Sequence, residues 1–125
     1  MKIRKGKGIS KILEWMGDSV PLVRDPEVSD DVLLTLSRSN DMDVVRAVIF
    51  NKSASAETLR EALSRVLSHK ESNDVRRDLM MDIVNHPNVD ETSLDAVILI
   101  TNDWDYPGMK ELNYRASERM SLLNG

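Results

Sequence analysis

A polar turn that feeds a helix occurs three times in this chain, and it restricts the possible folds more than any other feature. His86-Pro87-Asn88-Val89-Asp90-Glu91-Thr92-Ser93-Leu94 is its fullest form, and versions of it run from Asp25 to Leu33 and from Asn51 to Leu59. In each, an apolar residue (Val28, Ala54, Val89) precedes a capping side chain (Ser29, Ser55, Asp90), and a leucine (Leu33, Leu59, Leu94) follows four residues later. That pattern is a hydrophobic staple around an N-cap, which satisfies orphan amides and sets the angle of entry into the helix. Acids in the first turns (Asp30, Asp31, Glu57, Glu91) meet the positive end of the helix dipole. One turn used three times predicts helix pairs stacked in a row.

Hydrophobic spacing fills in the helices between these turns. Ile9, Ile12, Leu13 and Met16 follow helical periodicity before Gly17, with Trp15 off the stripe, free to cover a neighbour or face a partner. Pro21 and Pro26 limit the next stretch to about one turn. A helix is expected from Ser29 to about Arg38, and another from Asp43 to near Asn51 that buries Val44, Val45, Val48 and Ile49. Leu59, Ala62, Leu63, Val66 and Leu67 mark the cleanest amphipathic helix, with Arg60, Glu61, Ser64 and Arg65 on its other face. Asn73 is expected to cap a helix burying Val75, Leu79, Met80, Ile83 and Val84. The third turn launches Glu91 to about Thr101, with Leu94, Val97, Ile98 and Leu99 inward. A last helix from near Pro107 carries Met109, Leu112, Ala116, Met120 and Leu123. A second repeated feature sets Asp43-Val44-Val45-Arg46 beside Asn73-Asp74-Val75-Arg76, each with a capping side chain three residues ahead of an arginine. No segment alternates with period two into a hairpin turn, so six to seven helices in antiparallel pairs are expected.

A helix opening on Asp-x-Val-Arg, a turn of the form Asn/His-Pro-Asn-x-Asp and a second helix starting Glu-x-x-Leu resembles the leucine-rich-repeat variant and the wider HEAT and armadillo-like families. The resemblance is carried by Asp43 to Leu59 and Asn73 to Leu94, with an echo from Asp25 to Leu36. The chain departs from the pattern in the uneven spacing of the staple leucines, in Lys52 and Ser53 standing in the proline-containing part of the turn, and in a last unit without the turn. The resemblance implies an all-α fold, a short right-handed α-solenoid of about three antiparallel helix pairs. Such families mostly bind proteins, and a smaller branch binds nucleic acid.

At 125 residues the chain is expected to form a single helical domain over residues 9–125, preceded by a basic arm at 1–8 broken by Gly6 and Gly8. Lys2, Arg4, Lys5, Lys7 and Lys11 precede the first acid, Glu14, which leaves 12 basic against 21 acidic side chains for the remainder. A basic arm on an acidic body can seek phosphate or an acidic protein surface, or be a solvated terminus. Cysteine is absent, which removes disulfides, thiolate metal sites and a cysteine nucleophile and fits a reducing compartment. With no apolar run near the ~18 residues of a membrane span, the expected location is the cytoplasm.

The chemistry-bearing side chains read mainly as structure. Arg46, Arg76 and Arg77 could contact phosphate, but the guanidinium fork suits pairing with acids of an adjacent unit or with helix ends. His86 and Asp90 flank a turn; two histidines and no cysteine are too few ligands for a transition-metal site. His69 reads as an exposed helix-end residue. Gly6-Lys7-Gly8 lacks the spacing of a phosphate loop. Carboxylates and serines fall at caps and exposed helix positions, with no catalytic pair or nucleophile elbow. No enzyme, cofactor or metal is therefore expected. The loop Asn102 to Gly108 stands out, with Trp104 and Tyr106 interleaved with Asp103 and Asp105: an aromatic pair suited to a partner-binding hot spot, or to closing the gap between helix pairs. The leading expectation is a non-enzymatic protein-binding module, including a small regulator or inhibitor. The alternative is nucleic-acid binding through the basic arm with the helices as scaffold.

Overall fold

In a computed structural model, the described residues are 25–124, and they form six helices with no strand among them. In chain order these are α1 (Asp30–Leu36), α2 (Met42–Phe50), α3 (Ala56–Ser68), α4 (Asn73–Val84), α5 (Glu91–Thr101) and α6 (Met109–Asn124). Each helix packs on the next and on the next but one. The core is aliphatic, and the three staple leucines, Leu33, Leu59 and Leu94, are fully buried in it.

The three turns are built alike and bonded to one another. Within each, the side chain of the first residue accepts the amide two residues on: Asp25 Oδ1 from Glu27 at 2.9 Å, Asn51 Oδ1 from Ser53 at 2.8 Å, His86 Nδ1 from Asn88 at 3.0 Å. The carbonyl of that same residue accepts the amide of Val28, Ala54 or Val89. Between turns, Asn51 Nδ2 donates to Asp25 O at 2.9 Å, and His86 Nε2 donates to Asn51 O at 2.8 Å. Two residues along, Ser53 Oγ donates to Pro26 O at 2.7 Å and Asn88 Nδ2 to Lys52 O at 3.0 Å. The middle turn keeps this geometry without proline, because the amide of Asn51 supplies both the internal acceptor and the bridging donor.

Local chemistry corrects several expectations. Ser55 and Asp90 cap their helices through Thr58 N and Ser93 N, but Ser29, though at the cap position, accepts no amide through its side chain. The caps of α2 and α4 are Asp41 and Ser72, not Asp43 and Asn73. The extended backbone that a cap requires falls at Asp41 and Ser72, one or two residues before the expected positions. The last helix begins at Met109 rather than Pro107, since Gly108 lies in the left-handed region at φ 88° and breaks the helical path. Leu99 is 65% exposed. The inward stripe of α5 is Leu94, Val97 and Thr101, whose hydroxyl is satisfied by Val97 O at 2.7 Å; Leu99 lies well round the helix from that stripe. Along α6 burial fades from Leu112 and Ala116 through Met120 to Leu123, which is half exposed.

Candidate interaction surfaces

The aromatic loop between α5 and α6 is tied to the preceding unit. Tyr106 donates its phenolic hydrogen to Asp74 Oδ1 at 2.5 Å, and Arg77 Nη1 donates to Pro107 O at 3.1 Å, so two side chains of α4 hold the loop's far half. The Tyr106 hydroxyl is held above its ordinary pKa by that bond to the Asp74 carboxylate. Asn113, on α6, donates to Ile98 O and Thr101 Oγ1, both at 3.0 Å, and fixes the loop's near end. Trp104 and Tyr106 are half-buried and pack against the core, whereas Asp103 and Asp105 face solvent. Residues 101–108 line an open cleft of about 600 Å³, with Lys110 and Glu111 completing its rim. The loop therefore does two things. Its aromatics cover the core at the α5–α6 junction, and its carboxylates are presented outward on a fixed backbone.

A second concavity, of about 310 Å³, lies between α3 and α5. Leu63 and Leu67 line one side, Thr92 and Ala96 the other, with Arg60 at the end nearest the third turn and Ser93 beside it. Arg60 pairs with Asp90, the cap of α5. Sequence periodicity assigned Arg60 and Ser64 to a solvent face and thus missed a groove made by two neighbouring helices, which no single-helix pattern records. One unit earlier the equivalent junction is closed by a carboxylate. Asp30, the first residue of α1, accepts from Ser55 N at 3.0 Å and from Thr58 Oγ1 at 2.8 Å. Burial pushes the Asp30 pKa up, but the hydrogen bonds from Ser55 and Thr58 outweigh it and hold the carboxyl below its usual range.

The arginines sit at junctions. Arg76 Nη2 donates to His69 O at 2.8 Å and closes the end of α3, while Arg77 bridges Asp74, Asp78 and the loop. Burial raises the pKa of Asp82 on α4, and Arg46, exposed on α2, offsets only part of that rise. Sequence reasoning did not single out Arg115 and Arg119. From α6, Arg115 Nε bonds Asn85 Oδ1 at 2.7 Å and Arg119 reaches the carbonyls of Asn85 and His86, which clasps the third turn. His86 is a ladder rung with both ring nitrogens engaged, and among the described residues no group of three or more His, Cys, Asp or Glu could hold a metal ion. No helix among them is long and apolar enough to cross a membrane. The basic arm (Lys2, Arg4, Lys5, Lys7, Lys11), the expected helix from Ile9 to Met16 with Trp15, and the domain boundary at residue 8 lie outside the described residues. Comparison of the chain with protein-family models, with curated proteins and with solved structures found no match in any of the three.

Proposed function

We propose that this protein is a non-enzymatic interaction module: a short α-solenoid of HEAT-like antiparallel helix pairs that presents a rigid surface to a protein partner. The observation that carries the reading is the Asn102–Gly108 loop, pinned through Tyr106, Pro107 and Asn113 while Asp103 and Asp105 point into solvent beside a cleft. A loop held from both ends loses little conformational freedom when a partner docks, so more of the contact energy appears as affinity. The ladder of stacked turns supports the solenoid reading, because repeated units that bond only to their neighbours build such arrays. Absence of cysteine suits action in the cytoplasm.

Capture from a lysate of the source cell, with and without nuclease, tests this. Wild type is compared with an Asp103→Lys/Asp105→Lys variant, which leaves the core-packed aromatics in place, and with a deletion of residues 1–8. A protein partner that survives nuclease and is lost with the two carboxylates supports the module. Loss of every partner on nuclease treatment or arm deletion makes nucleic acid the ligand instead.

A further inference from the structure

The groove between α3 and α5 contains a buried donor with nothing to bond. Ser93 is 1% exposed, and its hydroxyl has no hydrogen-bond partner. The repeat explains why. Ser93 occupies in the third turn-and-helix unit the place that Thr58 holds in the second, where the Thr58 hydroxyl donates to Asp30 from the unit before. The residue corresponding to Asp30, one unit on, is Ala56. The methyl group of Ala56 cannot accept a hydrogen bond, so the Ser93 hydroxyl lacks the acceptor that Asp30 gives Thr58, and α3 and α5 are joined at this level by the Arg60–Asp90 pair instead.

We infer that this groove takes an aspartate or glutamate side chain from a protein partner, with the carboxylate in the role that Asp30 plays one unit earlier and an adjoining aliphatic side chain against Leu63, Leu67 and Ala96. Two features favour an anion: the Ser93 hydroxyl lacks an acceptor, and Arg60, which pairs with Asp90 through Nη1, holds a guanidinium that is 41% exposed at the groove's end. The apolar floor beyond Ser93 then favours an acidic residue followed by leucine or a similar side chain. This rests on the interaction-module reading and names the chemistry of the partner on one further face.

The test uses the full chain, ¹⁵N-labelled, titrated with acetyl-Asp-Leu-Leu-amide and with acetyl-Asn-Leu-Leu-amide. The aspartyl peptide is expected to shift the amides of Thr92, Ser93, Ala96, Leu63 and Leu67 saturably, about tenfold more tightly than the asparaginyl one, as a charge-assisted hydrogen bond implies. Ala56→Asp, which supplies the missing carboxylate from within, and Ser93→Ala, which removes the donor, should each abolish the difference. Ser93→Ala should also melt no lower than wild type, since its hydroxyl has no bond to lose. Equal affinities for the two peptides, unchanged discrimination in Ala56→Asp, a destabilised Ser93→Ala, or no shift up to about 10 mM peptide overturns the inference. A nuclease-resistant partner lost with Asp103→Lys/Asp105→Lys, together with equal peptide affinities, removes the groove assignment and leaves the interaction module standing. Peptide discrimination with no cellular partner captured does the reverse.

Discussion

His86 and Asn51 are different side chains making the same two bonds. Each accepts an amide from its own turn and donates to a carbonyl of the turn before. For the histidine this fixes the neutral tautomer, because Nδ1 faces an amide that can only donate and Nε2 must then carry the proton. Burial lowers its pKa below the usual 6.5, the Asn51 carbonyl acts the other way, and Arg119 lowers it further. A folded-state pKa below the unfolded one means that the unfolded chain binds the extra proton. Stability is therefore fully present above about pH 6.5 and is lost as pH falls through that value toward the depressed folded pKa. Urea midpoints measured at about pH 7.5 and 5.5 should drop in wild type but not in His86→Asn, which copies the Asn51 arrangement without a titrating ring. Asp82, raised by burial, contributes with the opposite sign and in the carboxylate range, so it does not mimic this step. Gly108 supplies another prediction at this scale. At φ 88°, with an added Cβ only 2.6 Å from Arg77 Cδ, alanine there should cost about 1–2 kcal/mol, read from the shift in urea midpoint.

At the scale of elements, the joints between helices matter as much as the helices. Asp30 ties the start of α1 to the cap region of α3, so Asp30→Ala should cost about 1–2 kcal/mol in thermal unfolding, while Asp31→Ala, exposed beside it, costs less. Within α3 and α5 the two kinds of leucine separate cleanly. Leu59→Ala, with no exposed surface in wild type, should lose about 2–5 kcal/mol. Leu99→Ala should change stability by no more than about 0.5 kcal/mol, since Leu99 is 65% exposed. Periodicity identified nearly every inward residue of α2 to α4, because each of those helices buries one apolar stripe against the helices packed around it. It erred at Leu99, where an apolar run offers more hydrophobic residues than one stripe can bury, and at Leu123, where the stripe outlasts its cover. It erred on the caps of α2 and α4 because Asp41 and Asp43, like Ser72 and Asn73, are both chemically able to cap; only backbone conformation decides between them.

Across the whole described molecule, α1 packs mainly on α2 and α3, and α6 mainly on α4 and α5. Mild core substitutions at the two ends, Leu33→Val and Leu112→Val, should therefore be additive within about 0.5 kcal/mol in urea unfolding, a check on how far each unit depends only on its neighbours. The all-α class, the three equivalent turns and the burial of their staple leucines were determined by sequence alone, since capping, dipole and staple are interactions between residues a few positions apart. The loop at Trp104 and Tyr106 was also legible as a feature, through its concentration of aromatics among acids. What the loop is fastened to was not, because Asp74 and Arg77 lie some 30 positions earlier. The same holds for the ladder that joins the turns, the Arg115 and Arg119 clasp, and the groove that leaves Ser93 unpaired. Each is a contact between side chains distant in sequence, and only the packing of one helix on the next brings its donor within reach of an acceptor or leaves it without one.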